Sequence, residues 1–197
     1  RTLADRAAHV TPADAAEAVV TSSASALTRF AGNRIHQNVA ESDTHLSIRA
    51  VLGTRTGVAS TNRLDDDALV RCAAAAVEAA RHAPEDPDFP GLPQALPVSL
   101  ADRVNPATLG YDADRRAEAA RAIIGQSEAR GLTAAGTVAV NDYAVAIAST
   151  RGVDAAMEAG DLRATVLSMG GNGGNGWASF LGADAASFAP AALGGRA

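Results

Sequence analysis

Alternating apolar and polar residues mark several strands along the chain. In the segment RIHQNVAE, Ile35 and Val39 alternate with Arg34, His36 and Asn38, and a second alternating run, LSIRAVL, follows it. Because successive side chains of a strand point to opposite faces of a sheet, both runs are predicted as half-buried strands. The turn-forming segments AGN, ESD and GTRTG predict antiparallel hairpins before, between and after the two strands, with VAST as the returning strand.

Apolar residues at helical spacing predict two helices. The first lies in LDDDALVRCAAAAVEAARHA, where Asp65 is placed to cap the helix N-terminus because its carboxylate can accept a free backbone N–H. The second lies in DADRRAEAARAIIGQSEARG and is expected to end at Gly131. The predicted apolar stripes are Leu69, Ala73, Ala76, Val77 and Ala80 on the first helix, and Ala113, Ala117, Ala120 and Ile124 on the second.

A proline-rich stretch divides the chain. Six of the 8 prolines fall between Pro84 and Pro106, where neither a helix nor a paired strand is expected to persist. The sequence therefore predicts an N-terminal subdomain over residues 1–83, a linker over 84–110 and a second subdomain over 111–197. The runs GTVAVN, YAVAIAS and LRATVLS predict strands in the second half. The fold class is predicted as α+β, with two similar subdomains, each an antiparallel hairpin-rich sheet with packed helices, related by internal duplication.

The segment MGGNGGNGWASF contains a possible phosphate-binding motif. Gly171, Gly173 and Gly176 spell G-x-G-x-x-G, which in dinucleotide-binding proteins joins a strand to a helix. Here no helical pattern follows the glycines, and no acidic residue lies about 20 positions further on. The segment is therefore interpreted as an enlarged, mobile hairpin loop, which could still move over a ligand. Trp177 beside it is predicted to be a buried anchor of the hairpin, the alternative being an exposed contact residue for a partner protein.

Composition and charge narrow the classes of function. The chain has 197 residues, of which 47% are hydrophobic, with a net charge of -5, so nucleic acid is not expected as a direct partner. All 17 basic residues are arginine, which excludes a Schiff-base lysine and a P-loop lysine. No apolar run is long enough for a membrane span and no secretory signal opens the chain, so a cytoplasmic location is expected. The chain begins with Arg1 rather than Met, so its natural N-terminus is expected to lie further upstream.

No constellation of catalytic residues is recognisable. The four histidines form no H-E-x-x-H pair, the single Cys72 argues against a cysteine-rich zinc site, and no serine has a nucleophile-elbow context. We therefore assign no catalytic residue and no metal ligand in this chain. The residues leave open whether the protein takes part in an enzymatic reaction.

The first half of the chain resembles the N-terminal domain of the TldD/PmbA family, the so-called modulators of DNA gyrase. The segments RFAGNRIHQNVAE, GVASTNRLDDDAL and PEDPDFPGLP occur together and in family order. From residue 112 to 190 the chain is similar, more loosely, to the family's middle domain. The resemblance implies strands over residues 18–22 and 26–30. The proline-rich exit from the first helix is closer to the PmbA (TldE) side than to the TldD side.

The resemblance also implies a function. Family members are metallopeptidases in which a TldD-type subunit holds zinc through an HExxxH motif in its C-terminal domain and pairs with a PmbA-type subunit that lacks the motif. The pair encloses a cavity that degrades or trims unfolded peptides. Nothing in this chain matches HExxxH, so no catalytic residue is carried over and no cofactor is expected in this chain itself. Because family members are more than twice as long, the chain is expected to be a fragment that ends before the catalytic domain, or else a short homologue that kept the scaffold.

Two hypotheses follow. In the first, the chain is the substrate-confining part of a TldD/PmbA-type peptidase subunit, forms a homo- or hetero-oligomer with such a subunit, and holds unfolded peptides by main-chain pairing at exposed strand edges. Its candidate peptide contacts are Arg34, His36 and Asn38. In the second, the chain is a stand-alone interaction module with no peptidase activity, and its partner docks on the glycine loop and Trp177. Neither hypothesis requires a membrane.

Overall fold

The computed structural model describes residues 2–97 and 103–197, which adopt an α+β fold built on one six-stranded sheet. The elements in chain order are α1 (Thr2–Val10), β1 (Ala15–Ala31), β2 (Arg34–Leu52), β3 (Arg55–Thr61), α2 (Asp66–His82), α3 (Pro106–Leu109), α4 (Ala113–Glu128), β4 (Thr133–Ser149), β5 (Asp154–Met169), β6 (Asn175–Gly182), a short 3₁₀ helix (Ala185–Ser187) and α5 (Pro190–Arg196). The strands lie in the order β3-β2-β1-β4-β5-β6. The predicted fold class is confirmed.

Neighbouring strands of the sheet run antiparallel. The pairs β2–β3 and β5–β6 are antiparallel hairpins. At the centre, Asn33 beyond the end of β1 donates its N–H to the carbonyl of Ala134 near the start of β4, 3.3 Å away. Thr150 beyond the end of β4 donates to the carbonyl of Ala16 near the start of β1, 2.9 Å away. Each half of the chain thus runs through a helix, three antiparallel strands and a helical segment. That the two halves arose by internal duplication stays a prediction.

The residues pack into two compact units, each drawn from three stretches of the chain. The described residues of unit 1 are 2–23, 43–97 and 144–158, and those of unit 2 are 24–42, 103–143 and 159–197. The long strands β1, β2, β4 and β5 therefore each contribute residues to both units. The predicted division into domains 1–83 and 111–197 with a linker between them stays a prediction.

Unit 1 is built from small side chains that let helices approach strands closely. Gly57 of β3 lies so close to α2 that a Cβ atom there would meet the backbone nitrogen of Ala80 at 2.1 Å. Asp65 caps α2 as predicted, because its side chain accepts the N–H of Ala68 at 2.9 Å. The buried residues of this core are Ala4, Ala7, Ala8, Ala18, Leu46, Ile48, Ala50, Leu69, Cys72, Ala73, Ala76, Val77, Ala146 and Ala148.

Unit 2 has a core of larger aliphatic and aromatic side chains under α4 and α5. The ring centroids of Phe180 and Phe188 lie 4.9 Å apart. Asp112 caps α4 by accepting the N–H of Arg115 at 2.9 Å. The predicted stripe on α4 is buried at Ala120 and Ile124 but not at Ala113, which is exposed, and the buried face consists of Arg116, Ala119, Ala120, Ile123, Ile124 and Ser127. The remaining buried core residues of unit 2 are Phe30, Ala134, Val138, Val140, Leu162, Ala164, Val166, Ala178, Ala185, Phe188 and Leu193.

Several predicted strand breaks are absent. β2 continues through the ESD segment, so the hairpin predicted there was wrong, and β1 and β4 are also single strands. Some polar residues next to the predicted breaks make hydrogen bonds across strands. The hydroxyls of Ser22 and Thr44 lie 3.0 Å apart, and the Ser25 hydroxyl donates to the Asn141 side chain at 3.0 Å.

The proline-rich segment is packed rather than free. Leu92 is buried with Ala15 and Val51, and Phe89 packs against them. Residues 84–97 contain no helix or strand, as predicted, and residues 98–102 of the predicted linker lie outside the described residues. The linker prediction missed α3, which Asn105 caps by accepting the N–H of Ala107 at 2.9 Å. No helix in the described part of the chain is long and apolar enough to cross a membrane.

The contact between β3 and α2 gives a test of the fold. Gly57→Ala is expected to lower the free energy of unfolding by about 2–3 kcal/mol, because the added methyl group meets helix backbone that cannot rotate away. Gly171→Ala is the matched control: no atom lies within 4 Å of a Cβ built there, so a change within about 0.5 kcal/mol is expected. Urea unfolding of both variants makes the comparison, and equal stabilities would contradict the close packing.

Candidate functional site

The outer edge of β2 is unpaired over much of its length. β3 pairs with β2 only from Leu46 to Leu52, and the other neighbour of β2 is β1. Over residues 34–42, which belong to unit 2, no strand within the described residues pairs with the outer side of β2. We call this stretch the open edge. Every second residue of an unpaired strand directs its backbone N–H and C=O outward, so the open edge can receive another extended chain.

β6 pairs with β5 only from Leu162 onward, and the earlier part of β5 is partly covered on that side. Arg103 forms an isolated parallel bridge with Ala159, and its carbonyl accepts the N–H of Gly160 at 3.0 Å. Gly160 also lies under α3, because a Cβ there would meet the Leu109 side chain at 2.7 Å. The open edge of β2 is thus more accessible than this stretch of β5.

The three predicted peptide contacts lie on the open edge. Arg34, His36 and Asn38 are exposed residues of β2. The side-chain oxygen of Asn38 accepts from the Thr28 hydroxyl at 3.4 Å and from Nη2 of Arg116 at 3.2 Å. Since both of these bonds use Oδ1, they fix the orientation of the amide and leave its Nδ2 group as a donor for other partners. The structure therefore positions Asn38, and the peptide-contact role of all three residues stays a prediction.

Arg116 is the buried support of Asn38. The residue is only 5% exposed, and its Nη1 donates to the backbone carbonyl of Tyr111 at 2.9 Å. Its Nε has no hydrogen-bond partner among the residues described. Burial lowers the pKa of the guanidinium, and the charge of Asp112 opposes that shift. Sequence analysis missed Arg116. Its spacing was a usable signal, because it precedes the buried residues Ala119, Ala120 and Ile123 by three, four and seven positions and so lies on the same face of α4.

A groove lies beside the open edge, within unit 2. It has a volume of about 340 Å³ and is lined by residues 24–26 of β1, residues 40–42 of β2, Leu109 of α3, and Val140 and Asp142 of β4. Because side chains alternate along a strand, Ala40 and Ser42 face this groove, whereas Glu41 points to the opposite face, where it lies near Arg29 and Gln37. In the part of the chain that the structure describes, neither Glu41 nor Asp142 forms an ion pair.

A polar network fixes the position of the Ser25 side chain, which lies on the opposite face of β1 from Ala24 and Ala26. The Ser25 hydroxyl donates to Oδ1 of Asn141, whose Nδ2 donates in turn to Asp161 at 2.8 Å. Asn141 is buried, at 8% exposure, so both bonds satisfy a side chain that water cannot reach. Asp161 is also paired with Arg163 at 2.8 Å, and this bond and the carboxylate charge raise the pKa of the guanidinium. Asp161 therefore has both a positive partner and a hydrogen-bond donor.

The glycine-rich segment is a hairpin loop, as predicted. Gly170 donates its N–H to the carbonyl of Gly174 at 2.8 Å, and Gly173 adopts a φ of +84°, which favours glycine. β6 follows the loop where a dinucleotide site needs a helix, so Gly171, Gly173 and Gly176 do not form a phosphate site of that kind. The mobility of the loop stays a prediction.

The prediction that Trp177 is buried was wrong. Trp177 and Leu181 are 64% and 66% exposed, on the edge strand β6. Trp177 lies opposite Leu167 of β5 and points away from the core, because the next residue, Ala178, occupies the buried position. Sequence analysis did not apply the alternation of strand side chains to this segment. That alternation could have predicted the exposure of Trp177.

The described residues do not fit a metal site. Among residues 2–97 and 103–197, no group of three histidine, cysteine, aspartate or glutamate side chains could hold a metal ion. Cys72 is buried, and burial raises the pKa of its thiol, which disfavours the thiolate form that ligates metals. No catalytic step through zinc can therefore be assigned to the described residues of this chain.

Residues 16–80 match the sequence profile of the PmbA/TldA metallopeptidase domain 1. This segment, about a third of the chain, is similar to the first domain of the TldD/PmbA family. The matched region contains β2, β3, and most of β1 and α2, and so includes the open edge. Among curated proteins, none matches the sequence.

Solved structures share the fold of this chain over nearly its whole length. TldE from Thermococcus kodakarensis superposes with a TM-score of 0.85 at 16% identity, over 99% of this chain and 45% of its own. A candidate modulator of DNA gyrase from Thermotoga maritima superposes with a TM-score of 0.75 at 15% identity, over 92% of this chain and 42% of its own. A second candidate modulator of DNA gyrase, from Bacteroides thetaiotaomicron, superposes with a TM-score of 0.74 at 17% identity, over 98% of this chain and 47% of its own. The chain therefore spans less than half the length of each of these proteins.

The support of Asn38 by Arg116 can be tested directly. Arg116→Ala is expected to lower the free energy of unfolding by about 3 kcal/mol, because it leaves a cavity and removes donors from the Tyr111 carbonyl and the Asn38 side chain. Arg115→Ala, an exposed arginine on the same helix, serves as control and should change stability by less than about 0.5 kcal/mol. Urea unfolding measures both, and a silent Arg116→Ala would refute the supporting role.

Proposed function

We propose that this chain is the non-catalytic N-terminal and middle part of a TldD/PmbA-type metallopeptidase subunit and that it confines unfolded peptide substrates. The observation that carries the proposal is the open edge of β2, which lies within the matched family domain. The fold similarity to TldE, over 99% of this chain and 45% of that protein, supports the comparison with part of a longer subunit.

Strand addition is the binding mode that the open edge supports. Its residues, 34–42, span about 30 Å as a strand, enough for an extended peptide of similar length. Main-chain pairing depends little on peptide sequence, which suits an assembly that acts on many unfolded chains. Arg34, His36 and Asn38 would add side-chain contacts, with the fixed amide of Asn38 donating to a peptide carbonyl.

The proposal extends to the assembly. The chain would pair, as a homo- or hetero-oligomer, with a TldD/PmbA-type subunit, and zinc would be held in the C-terminal domain of the TldD-type subunit. This chain resembles the PmbA (TldE) side, and the similarity of its fold to TldE supports that choice. Its net charge of -5 argues against direct binding to nucleic acid, and the assembly is proposed to work in the cytoplasm.

Amide hydrogen exchange tests strand addition. An uncharged, unfolded nonapeptide is expected to slow exchange at every second amide between residues 34 and 42, because alternate N–H groups of an edge strand point outward. NMR of the 197-residue chain with and without the peptide resolves this alternation. Two N-methylated versions of the peptide, with methyl groups on odd or on even residues, supply the control. Only one of them should retain binding.

The same experiment discriminates the second candidate function, an interaction module that uses β6. The exposure of Trp177 and Leu181 on this edge strand favours a docking surface there. Protection of residues 175–182 in place of 34–42, with a shift in the fluorescence of the single tryptophan, would replace the proposal by this alternative. Unchanged exchange at both edges would refute both.

The side-chain contribution can be measured with His36. His36→Ala is expected to weaken binding of the nonapeptide about threefold to fivefold, through loss of one hydrogen bond, with no change in melting temperature because the side chain is exposed. His45→Ala, an exposed histidine of the same strand outside the open edge, is the control and should leave Kd unchanged. Equal Kd values for the two variants would remove His36 from the peptide contacts.

A further inference from the structure

We infer that the groove beside the open edge receives a bulky apolar side chain of the bound peptide. Three of the side chains that face it belong to Ala24, Ala26 and Ala40, and we call it the alanine groove. The inference rests on the proposed function, because it requires a peptide on the open edge. It adds a substrate class, extended peptides with an aromatic or large aliphatic residue, to a site whose backbone pairing alone does not select by sequence.

Small side chains leave this part of the sheet surface uncovered. Ala24 and Ala26 lie on the same face of β1 as Phe30, because side chains an even number of residues apart share a face. Phe30 is buried in the core of unit 2, whereas Ala24 is exposed and neither alanine belongs to that core. The groove, of about 340 Å³, therefore lies where the apolar face of the sheet continues without large side chains.

The other apolar residues of the groove add contact surface. Val140 of β4 is buried, whereas Leu109 of α3 keeps 36% of its surface exposed. Burial of apolar surface is favourable roughly in proportion to the area removed from water, so a large apolar side chain gains most from such a lining. Covering Leu109 and the alanine methyl groups would remove apolar surface of both the protein and the peptide from water.

A strand on the open edge directs alternate side chains to the face that carries the alanine groove. The peptide residue opposite Ala40 has its side chain on the same face as Ala40, with the two Cβ atoms about 5 Å apart. β1 is the next strand, so Ala26 lies about 5 Å beyond β2. Aromatic and long side chains reach diagonal neighbours about 7–8 Å away, so a ring at this position covers Ala40 and extends toward β1. An alanine or serine there would reach only Ala40.

The opposite face of β2 is more polar. Gln37, Val39 and Glu41 point there, and the Arg29 guanidinium donates to Oε1 of Gln37 at 3.0 Å. Side chains of the peptide alternate between the two faces, so the residues on either side of the apolar one meet mainly polar groups. The open edge is thus suited to a peptide with a bulky apolar residue between polar neighbours.

A charged side chain is the weaker occupant. Asp142 shares a face of β4 with Val140 and is the carboxylate that faces the groove. β4 is two strands beyond β2, which places the Asp142 backbone about 14 Å from an added peptide. The Debye length in physiological salt is about 8 Å, so attraction over that distance is substantially screened. Contact with apolar surface, in contrast, begins at Ala40 on β2 itself.

Three labelled nonapeptides test the inference on the 197-residue chain. They share one uncharged polar sequence and differ at the central residue, which is phenylalanine, alanine or glutamine. Fluorescence anisotropy is expected to show the phenylalanine peptide binding about fivefold to tenfold more tightly than the alanine peptide, because much of the ring is buried in the groove. The glutamine peptide, whose side chain is long but polar, should bind within about twofold of the alanine peptide. Raising the salt concentration should leave these ratios unchanged, since no charge contact is involved.

Matched variants assign the effect to the groove. Ala24→Gln places a long polar side chain on the floor of the groove and should reduce the phenylalanine-to-alanine ratio to less than about twofold. Ala24 is exposed and lies on β1, away from the backbone that pairs with the peptide, so the fold and the strand pairing should tolerate the change. Ala113→Gln, at an exposed alanine of α4 outside the groove, is the control and should leave the ratio unchanged. The alanine peptide should bind all variants alike, which shows that each is folded.

The outcomes separate the two proposals. Equal binding of all three peptides with protection of the open edge would overturn the apolar selection and leave strand addition standing. A phenylalanine preference that survives Ala24→Gln would overturn the assignment to the alanine groove. Failure of every peptide to bind would overturn both the groove and the proposed peptide-binding function.

Discussion

Strand length is the constraint on which the site depends. The interior strands β1, β2, β4 and β5 have 17, 19, 17 and 16 residues, whereas the edge strands β3 and β6 have only 7 and 8. A short edge strand can satisfy only part of the backbone of a long neighbour, so one half of β2 keeps unpaired donors and acceptors. Unpaired edges invite association with other chains, and charged side chains on them limit it. Here Arg34 and Glu41 are such side chains, and they leave the backbone between them accessible.

The long strands persist because packing and pairing support them within each unit. In unit 1, alanine and glycine let α2 lie almost on the backbone of β3, with Gly57 at the closest approach. In unit 2, Gly136 similarly leaves room for the ring of Phe30. A Cβ atom at residue 136 would lie 2.7 Å from Cζ of that ring. Polar stretches of these strands would not form structure alone. They are extended because neighbouring strands pair with their backbones and because residues such as Asn141 find hydrogen-bond partners across the sheet.

Sequence analysis succeeded where the signal is local and failed where it depends on neighbours in space. The Asp65 cap was predicted correctly because a cap needs only the next three residues. The continuity of β2 through the ESD segment was not predicted, because polar turn-forming residues stay extended only when they pair with another strand. The open edge could not be predicted either, because it depends on where β3 stops along β2. Arg116 was missed because an arginine is ordinarily expected at the surface, and its burial follows from the phase of α4 against the sheet.

The energetics of strand addition limit how tightly the open edge can hold a peptide. An edge of nine residues offers about four or five outward hydrogen bonds, each of which contributes about 1 kcal/mol net in water. Association costs at least about 4 kcal/mol in lost translational and rotational freedom, so backbone pairing alone gives weak binding. Weak, sequence-independent pairing is therefore what the backbone of this edge alone can supply.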